Sequence, residues 1–191
     1  MASHFYAMLS RMKNIYRWGL MRNTKTENLS EHSFETAYIA HALALIGKTR
    51  LGKNTNPEKA AVAAMFHDAS EIITGDMPTP VKYDNPEIKA AYKKMEVAAE
   101  NKLISMLPED LQGEIAACFC KEDADITRYV KAADKISALI KCTEELNMGN
   151  KEFAVAKSAL IVAIKNLNLS EADIFLEEFL PSFELSIDEQ H

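Results

Sequence analysis

Residues 56–75 read NPEKAAVAAMFHDASEIITG, and this stretch decides the fold class. It opens with Asn56, a helix-capping residue, followed by proline in the first turn. It closes with Gly75, a residue type that commonly follows the last turn of a helix. Alanines and other good helix formers fill the space between these signals. The stretch therefore predicts one α-helix from Asn56 to Gly75.

The rest of the chain repeats this helical pattern, and no segment shows the period-two alternation of a β-strand. Further helices are predicted over about residues 3–16, 30–47, 86–107, 108–120, 126–148, 151–167 and 171–179. Asn28 or Ser30 is expected to cap the second helix, and Ser170 with Asp173 has the spacing of a capping pair. The prediction is an all-α protein.

Two segments are predicted to be loops. Residues 17–29 contain Trp18-Gly19 and several Asn and Thr residues that favour turns. Residues 76–80 cannot continue the preceding helix because Pro78 and Pro80 lack amide donors and restrict the residues before them. The second loop leaves the helix that carries His67 and is therefore a candidate wall of a site.

Length and charge limit the possible classes of protein. The 191 residues contain no repeat or linker, and 48% are hydrophobic, so residues 1–191 are expected to form one domain with a sizeable core. The 22 basic and 28 acidic residues give a net charge of −6. This balance argues against binding to nucleic-acid polymers or anionic membranes, although a local basic pocket for one phosphate is compatible with it.

The termini and cysteines indicate a cytoplasmic location. The N-terminus lacks the basic-then-apolar order of a signal peptide, and apolar runs such as residues 40–47 are too short to span a bilayer. Cys118, Cys120 and Cys142 are odd in number and lack CxxC spacing, so free thiols in a reducing compartment are expected.

The chemistry is concentrated in the adjacent pair His67-Asp68, with His32 upstream and Asp134 downstream. Two imidazoles and two carboxylates can hold a divalent ion and leave coordination positions for water and substrate. This mixture of nitrogen and oxygen donors suits six-coordinate Mn²⁺, Co²⁺ or Fe²⁺ better than a closed structural zinc site. The combination indicates a metal-dependent hydrolase.

Glu71 follows His67 by four positions, which on a regular helix places the two side chains about 40° apart on one face. A carboxylate there could position a water molecule at the metal or move its proton. The sequence leaves both roles open.

Each of these residues alone has an ordinary explanation. A single helical histidine is most often a surface or core residue, and Asp134 or Glu71 alone would be a solvated carboxylate. Spacing alone does not decide between a metal site and unconnected residues. His4, His41 and His191 are assigned no role.

The chain resembles the HD-domain metal-dependent phosphohydrolases, whose H…HD…D pattern matches His32, His67-Asp68 and Asp134. More narrowly, it resembles the bacterial 5′-deoxynucleotidases of that group. The matching text is RWGLMRN (17–23), ENLSEHS (27–33), HDASE (67–71), TGDMPTPVKY (74–83), KAAD (131–134) and PSF (181–183). The Arg-Trp and Gly-Asp-x-Pro-Thr-Pro segments are the more specific part of this resemblance, which spans nearly the whole chain.

The resemblance implies a homodimer of single-domain HD helical bundles that hydrolyses deoxyribonucleoside 5′-monophosphates to deoxyribonucleosides and phosphate. It also implies one divalent ion per chain, Co²⁺ or Mn²⁺ before other transition metals. The implied metal ligands are His32, His67, Asp68 and Asp134, and three of them (His32, Asp68 and Asp134) also count as substrate-binding residues.

The resemblance further assigns Arg17 to the phosphate and Trp18 to the sugar, where the indole would exclude a 2′-hydroxyl. It assigns sugar and phosphate contacts to Asp76, Met77, Pro78 and Thr79. Without the resemblance, Arg17 would be read as a surface arginine and Trp18 as a packing anchor. No base-reading cluster is evident, so a loose base preference is expected.

Two alternatives keep parts of this interpretation. Another HD-domain phosphohydrolase could act on a nucleoside triphosphate or a guanosine alarmone, although the acidic balance disfavours such charged ligands. A non-catalytic regulatory module could bind metal and nucleotide without turnover.

Phe175, Phe179 and Phe183 could contact a partner chain, but a core role is their more common explanation.

Overall fold

The computed structural model describes residues 2–82, 85–119 and 123–190, except for the side chains of Thr79 and Pro80. The α-helices of this part are α1 (Phe5–Leu9), α2 (Leu29–Arg50), α3 (Pro57–Phe66), α4 (Glu71–Thr74), α5 (Thr79–Lys82), α6 (Pro86–Ile104), α7 (Glu109–Cys118), α8 (Ala124–Asn147), α9 (Ala154–Lys165) and α10 (Ser170–Glu178). Short 3₁₀ turns cover Ser10–Asn14, Lys151–Phe153, Leu180–Glu184 and Ile187–Gln190. No strand occurs in the described ranges, and the all-α prediction is confirmed.

The helix starts follow local capping chemistry. Asn28 accepts hydrogen bonds from the backbone amides of Ser30 and Glu31, and the Glu31 side chain accepts one from the Asn28 amide, so α2 begins with a complete capping box. Asn56 caps α3 more simply, by accepting one hydrogen bond from the Lys59 amide. The prediction for Ser170 is wrong: α10 begins at that residue without a side-chain cap.

The predicted helix over residues 56–75 is interrupted at the His67-Asp68 pair. Helix α3 ends at Phe66, and the chain then winds more tightly through residues 67–70 before α4. The amides of His67, Ala69 and Glu71 bond to carbonyls three residues earlier rather than four. The assumption of a regular helix between His67 and Glu71 was therefore wrong.

Other boundaries also differ from the prediction, and α2 continues past the predicted end at residue 47 to Arg50. The first α-helix ends at Leu9, and residues 10–14 continue as a 3₁₀ turn. The predicted loop after Gly75 extends only to Pro78, and α5 follows it. Pro80 falls in the first turn of α5, where a missing amide leaves no helical hydrogen bond unmade.

A large apolar core lies between α2, α3, α8, α9 and α10. Ile39 and Leu43 of α2 and Ile136 and Leu139 of α8 are fully buried in it. A second cluster contains Phe5, Phe66, Ala69, Leu103 and Leu107. Because Ala64 belongs to the first cluster while Phe66 and Ala69 belong to the second, the turn that carries His67 and Asp68 is held between the two clusters.

Gly47 permits a close approach between α2 and α10. A Cβ atom at this position would lie 2.7 Å from Oε1 of Glu171 and 2.8 Å from the hydroxyl oxygen of Tyr129. Glu171 is fully buried, accepts a hydrogen bond from Tyr129 and pairs with Lys53. The glycine therefore makes room for a buried polar cluster that ties α2, α8 and α10 together.

Cys142 is buried and Cys118 is half-buried, and both are free thiols as predicted. Cys120 lies outside the described residues. Across the described ranges, no helix combines the length and apolar character needed to cross a bilayer.

Candidate active site

Helix α2, the turn after α3, and α8 bring the four predicted metal ligands together. Nε2 of His32 lies 3.3 Å from Oδ1 of Asp134 and 3.5 Å from Oδ2 of Asp68. Nε2 of His67 lies 3.2 Å from the same Asp68 oxygen. Donor atoms of His32, His67 and Asp68 all lie within 4.8 Å of one another, so this group can hold a metal ion.

The hydrogen bonding of His67 presents Nε2 as the free donor atom. Its Nδ1 lies 2.6 Å from the carbonyl oxygen of Ala64, which can only accept, so the proton resides on Nδ1. In the neutral ring, the form that a metal ligand takes, Nε2 therefore carries the lone pair, and it is buried without a hydrogen-bond partner among the described residues. An unpaired buried imidazole nitrogen beside carboxylates fits a metal ligand.

The orientation of His32 is set by a short relay. Its Nδ1 lies 3.0 Å from the hydroxyl oxygen of Ser137, and that hydroxyl donates to Oε2 of Glu35 at 2.7 Å. Since the hydroxyl proton is directed at Glu35, Ser137 accepts the Nδ1 proton of His32. The relay leaves the lone pair of His32 Nε2 directed at Asp68 and Asp134.

Burial and charge set the protonation of this cluster. Burial, with the nearby Arg17 cation, lowers the pKa of His32 to about 4, so the ring is neutral at pH 7 as a ligand must be. Burial alone would raise the pKa of Asp134, but its contact with His32 and the positive charge of Arg17 hold it at about 2. Burial likewise opposes a charged His67, and the adjacent Asp68 more than offsets this and raises the pKa of His67.

Glu71 lies at the start of α4 and lines a cavity that Arg17 and Asp68 also line. Only 6% of the residue is exposed, and Oε2 has no hydrogen-bond partner among the described residues. Burial, reinforced by the Asp68 and Asp76 carboxylates, raises the pKa of Glu71 to about 9. The tighter winding after His67 thus still places Glu71 beside Asp68, at the edge of the cavity.

Arg17 lies over the metal-binding group. Its Nε is 3.2 Å from Oε2 of Glu27, and Nη1 is 3.5 Å from Oδ2 of Asp68. The backbone amide of Arg17 also donates to the carbonyl of Glu27. Two carboxylates therefore orient the guanidinium, whose remaining N–H groups can donate to an anion in the cavity.

Trp18 lines the cavity next to Arg17. Its Nε1 donates to the same Oε2 of Glu27 at 2.8 Å, and its ring lies 5.4 Å from that of Phe153. The backbone φ of Trp18 is +61°, a left-handed conformation that is costly for a residue other than glycine. Strain, a hydrogen bond and ring packing together fix the indole plane.

Glu145 anchors the loop that carries Arg17 and Trp18. This fully buried carboxylate accepts hydrogen bonds from the amides of Thr24 and Lys25 and from the side chains of Lys141 and Asn150. These donors hold the pKa of Glu145 well below its usual range. The loop is thereby pinned to α8.

Arg17, Trp18, Asp68, Glu71 and Asp134 line a cavity of about 540 Å³, whereas His32 and His67 are not among its lining residues. Of the predicted substrate residues, Arg17, Trp18, Asp68, Asp76, Met77, Pro78 and Asp134 line it. The side chain of Thr79, and Tyr83 of the matching sequence text, lie outside the described part of the chain. His41 is half-buried and is not among the cavity-lining residues.

Comparison with known proteins gives the family. The profile of the YfbR-like 5′-deoxynucleotidases matches residues 4–183. The chain belongs to this family. Similar proteins include 5′-deoxynucleotidases from Vibrio parahaemolyticus (53% identical over 189 residues, covering 98% of this chain and 97% of that one) and Vibrio vulnificus (54% identical over 192 residues, covering 98% and 97%). This YfbR-like protein is therefore a hydrolase.

Solved structures share the fold. An HD-domain phosphohydrolase from Listeria innocua superposes with a TM-score of 0.82 at 24% identity, over 98% of this chain and 91% of that one. A cyanophage S-2L HD phosphohydrolase, described as bound to dA and one catalytic Zn²⁺ ion, has a TM-score of 0.70 at 20% identity, over 92% and 96%. The architecture is that of the HD-domain phosphohydrolases.

Sequence reasoning missed several supporting residues of this YfbR-like site. Glu27 holds Arg17 and Trp18, Ser137 and Glu35 orient His32, and Glu145 anchors the loop. Glu27 lies inside the matching ENLSEHS text, which was a usable signal. Ser137 and Glu35 are 102 positions apart, and no local spacing connects them.

Proposed function

We propose that this protein is a metal-dependent 5′-deoxynucleotidase that hydrolyses deoxyribonucleoside 5′-monophosphates to deoxyribonucleosides and phosphate. One observation carries the proposal: the Nε2 atoms of His32 and His67 both lie within 3.5 Å of Oδ2 of Asp68, Asp134 lies 3.3 Å from Nε2 of His32, and the guanidinium of Arg17 contacts the same Asp68 oxygen. A cationic donor next to a metal-binding group is the arrangement that phosphate-ester hydrolysis requires. The names of the family relatives support the same substrate class.

His32, His67, Asp68 and Asp134 would hold one divalent ion, with Co²⁺ or Mn²⁺ proposed. The mixed nitrogen and oxygen donors support these ions, and the unpaired Nε2 of His67 supports a ligand at this point. When bound, the ion supplies a water of lowered pKa and withdraws charge from a phosphoryl oxygen. His32, Asp68 and Asp134 would also contact the substrate.

Arg17 and Glu71 are the proposed catalytic side chains. Arg17 donates to the phosphate oxygens and offsets the charge that develops on them in the transition state. Glu71 either orients the attacking water or moves its proton at Oε2, the buried oxygen without a partner. Its raised pKa favours a carboxyl group that can hold a proton near neutral pH.

Trp18 and the segment after α4 are proposed to bind the sugar. The indole plane, fixed by Glu27 and Phe153, would pack against C2′ and leave no room for a hydroxyl group. Asp76, Met77, Pro78 and Thr79 would contact the sugar and phosphate. The lining positions of the first three support this assignment.

Residues 1–191 are proposed to act as one HD domain, as a homodimer, in the cytoplasm. The family match over residues 4–183 supports one domain. Phe175 is buried in the core and Phe183 packs against it, while Phe179 is 39% exposed. Further support for a dimer comes from α2, where Phe34, Tyr38 and Leu45 are 71%, 42% and 42% exposed along one face. Light scattering should show a dimer that Phe34→Glu weakens, whereas a monomeric parent protein would refute it.

The decisive test of the activity is phosphate release from dAMP and AMP by chelator-treated protein, with and without added Co²⁺ or Mn²⁺. Metal-dependent release from dAMP with little from AMP is expected. Equal release would retain the metal phosphatase and remove Trp18 as the sugar filter. No release from either nucleotide would refute the proposed function and favour a triphosphate or alarmone substrate, or a module without turnover.

A further inference from the structure

A path of hydrogen bonds leads from the surface of α2 to the buried side chain of His32. The hydroxyl of Tyr38 donates to Oε1 of Glu35 at 2.8 Å, and Oε2 of Glu35 accepts from the hydroxyl of Ser137 at 2.7 Å. The Ser137 oxygen lies 3.0 Å from Nδ1 of His32. We call these four residues the Tyr38 relay. Tyr38, its outer member, has no role in the mechanism above.

Helix α2 carries this path from the interior of the protein to its surface. His32, Glu35 and Tyr38 follow one another at intervals of three residues, and each interval moves about 60° around the helix. His32 is fully buried, Glu35 is half-buried and Tyr38 is 42% exposed. Three hydrogen bonds therefore separate a surface phenol from an imidazole of the metal-binding group.

Tyr38 helps to fix the carboxylate of Glu35. With Oε1 held by the phenol, Oε2 is directed at the hydroxyl of Ser137. Burial raises the pKa of Glu35, and the hydrogen bonds from Ser137 and Tyr38 oppose this because they favour the charged form. A charged carboxylate only accepts hydrogen bonds, so it keeps the Ser137 proton directed away from His32.

The neighbouring side chains of α2 favour the same path. Thr36 brings a second hydroxyl near the His32 ring, but its oxygen lies 3.5 and 3.4 Å from the two ring nitrogens, which is farther than Ser137. The ring of Phe34, one turn before Tyr38, lies edge-on to the phenol with centroids 5.7 Å apart. This is a favourable aromatic geometry, and it holds the phenol in place.

We propose that Tyr38 is a positioning residue of the metal site, which acts through Glu35 and Ser137 on the orientation and tautomer of His32. The inference rests on the proposed function, because it takes His32 as a metal ligand. Without the phenol, the Glu35 carboxylate can turn away from Ser137, whose hydroxyl can then donate to Nδ1 of His32. The ring proton would then reside on Nε2, in place of the lone pair that a metal ion needs.

Tyr38→Phe is the direct test, because it removes only the hydroxyl and keeps the aromatic ring on the exposed face. We expect the dissociation constant for Co²⁺, measured by competition with a chelator, to rise about three- to tenfold, the effect of one lost hydrogen bond. Tyr6→Phe is the matched control: Tyr6 is 60% exposed on α1, and its ring is also edge-on to a phenylalanine. The control should keep the parent constant.

A double-mutant cycle separates the relay from a general loss of stability. In a Ser137→Ala background the relay is already interrupted, so Tyr38→Phe should have no further effect on Co²⁺ binding. Glu35→Ala supplies the interrupted background if Ser137→Ala does not fold. Equal weakening by Tyr38→Phe in the parent and interrupted backgrounds, or no weakening in the parent background, would overturn the inference.

The tautomer of His32 gives a readout that needs neither metal nor activity. Nitrogen-15 NMR of metal-free protein should show His32 protonated at Nδ1 in the parent and in Tyr6→Phe. Tyr38→Phe should raise the fraction protonated at Nε2, and an unchanged fraction would overturn the inference. Parent protein that binds Co²⁺ without releasing phosphate from dAMP, or that binds no ion, would refute the proposed function, and the His32 tautomer would still decide the role of Tyr38.

Discussion

The hydroxyl oxygen of Ser137 lies 3.0 Å from Nδ1 of His32, and both residues are fully buried. Because Ser137 donates its own proton to Glu35, this contact decides that Nε2, not Nδ1, of His32 is the unprotonated nitrogen. The orientation of one proposed ligand therefore depends on a residue of α8 that does not itself line the cavity.

Ser137→Ala should weaken metal binding by about ten- to a hundredfold, the usual effect of losing a partner that orients a ligand. The dissociation constant for Co²⁺ or Mn²⁺, measured by competition with a chelator, is the readout. Ser33→Ala is the matched control, because Ser33 is a buried neighbour of His32 whose hydroxyl has no hydrogen-bond partner in the described structure. Equal constants for the two variants would contradict the relay.

Glu71→Gln should lower kcat for dAMP by about a hundred- to ten-thousandfold, because glutamine cannot move a proton at the attacking water. Metal and nucleotide dissociation constants should stay near the parent values. Glu58→Gln, an exposed position on α3, controls for the loss of one negative charge. Undiminished turnover in Glu71→Gln would remove Glu71 from the mechanism.

The raised pKa of Glu71 also predicts how the stability of metal-free protein depends on pH. The folded pKa is about 9 against 4.5 for the free group, so the folded state holds this proton more tightly than the unfolded state. Its contribution to the free energy of unfolding is complete below about pH 4.5 and is lost as pH rises toward 9. Glutamine lacks this titration, so the melting temperature of Glu71→Gln relative to the parent should rise steadily between pH 5 and pH 9. A difference that stays constant over this range would show that Glu71 titrates normally.

Trp18→Ala should reduce the preference for dAMP over AMP, measured as a ratio of kcat/KM values, by about tenfold or more, because the ring proposed to pack beside C2′ is lost. Trp18→Phe is the control, since it keeps an aromatic ring but loses the hydrogen bond to Glu27. Both variants retain the left-handed backbone cost at position 18. If alanine and phenylalanine gave the parent ratio, the sugar filter would lie elsewhere.

Gly47→Ala should lower the free energy of unfolding by about 1–3 kcal/mol, because its Cβ would overlap Glu171 and Tyr129 in a packed interior. Gly113→Ala is a control in α7, where a Cβ atom would meet nothing within 4 Å. That change should be neutral or stabilising by up to about 1 kcal/mol through helix propensity. Urea denaturation measures both, and a neutral Gly47→Ala would show that the α2–α10 contact can relax.

The helices were predictable wherever local chemistry specified them. Asn28 and Asn56 cap α2 and α3 as expected, because a side-chain oxygen and the amides it accepts from are only a few residues apart. The break after Phe66 was not predictable. Residues 56–75 have good helix propensity throughout, and the packing of Phe66 and Ala69 into a different cluster from Ala64 accompanies the tighter turn.

The sequence by itself determined the all-α class, the family resemblance, and the identities of the groups that meet in the site. Only the tertiary structure decided which atoms face one another: the tautomer of His32 through Ser137, the contacts of Glu27 with both Arg17 and Trp18, and the position of α9 across the cavity. The physical reason is how far apart along the chain the interacting residues lie. Helix formation and capping act over about four residues along the chain, whereas these contacts join segments far apart in sequence that only packing of the core brings within hydrogen-bonding distance.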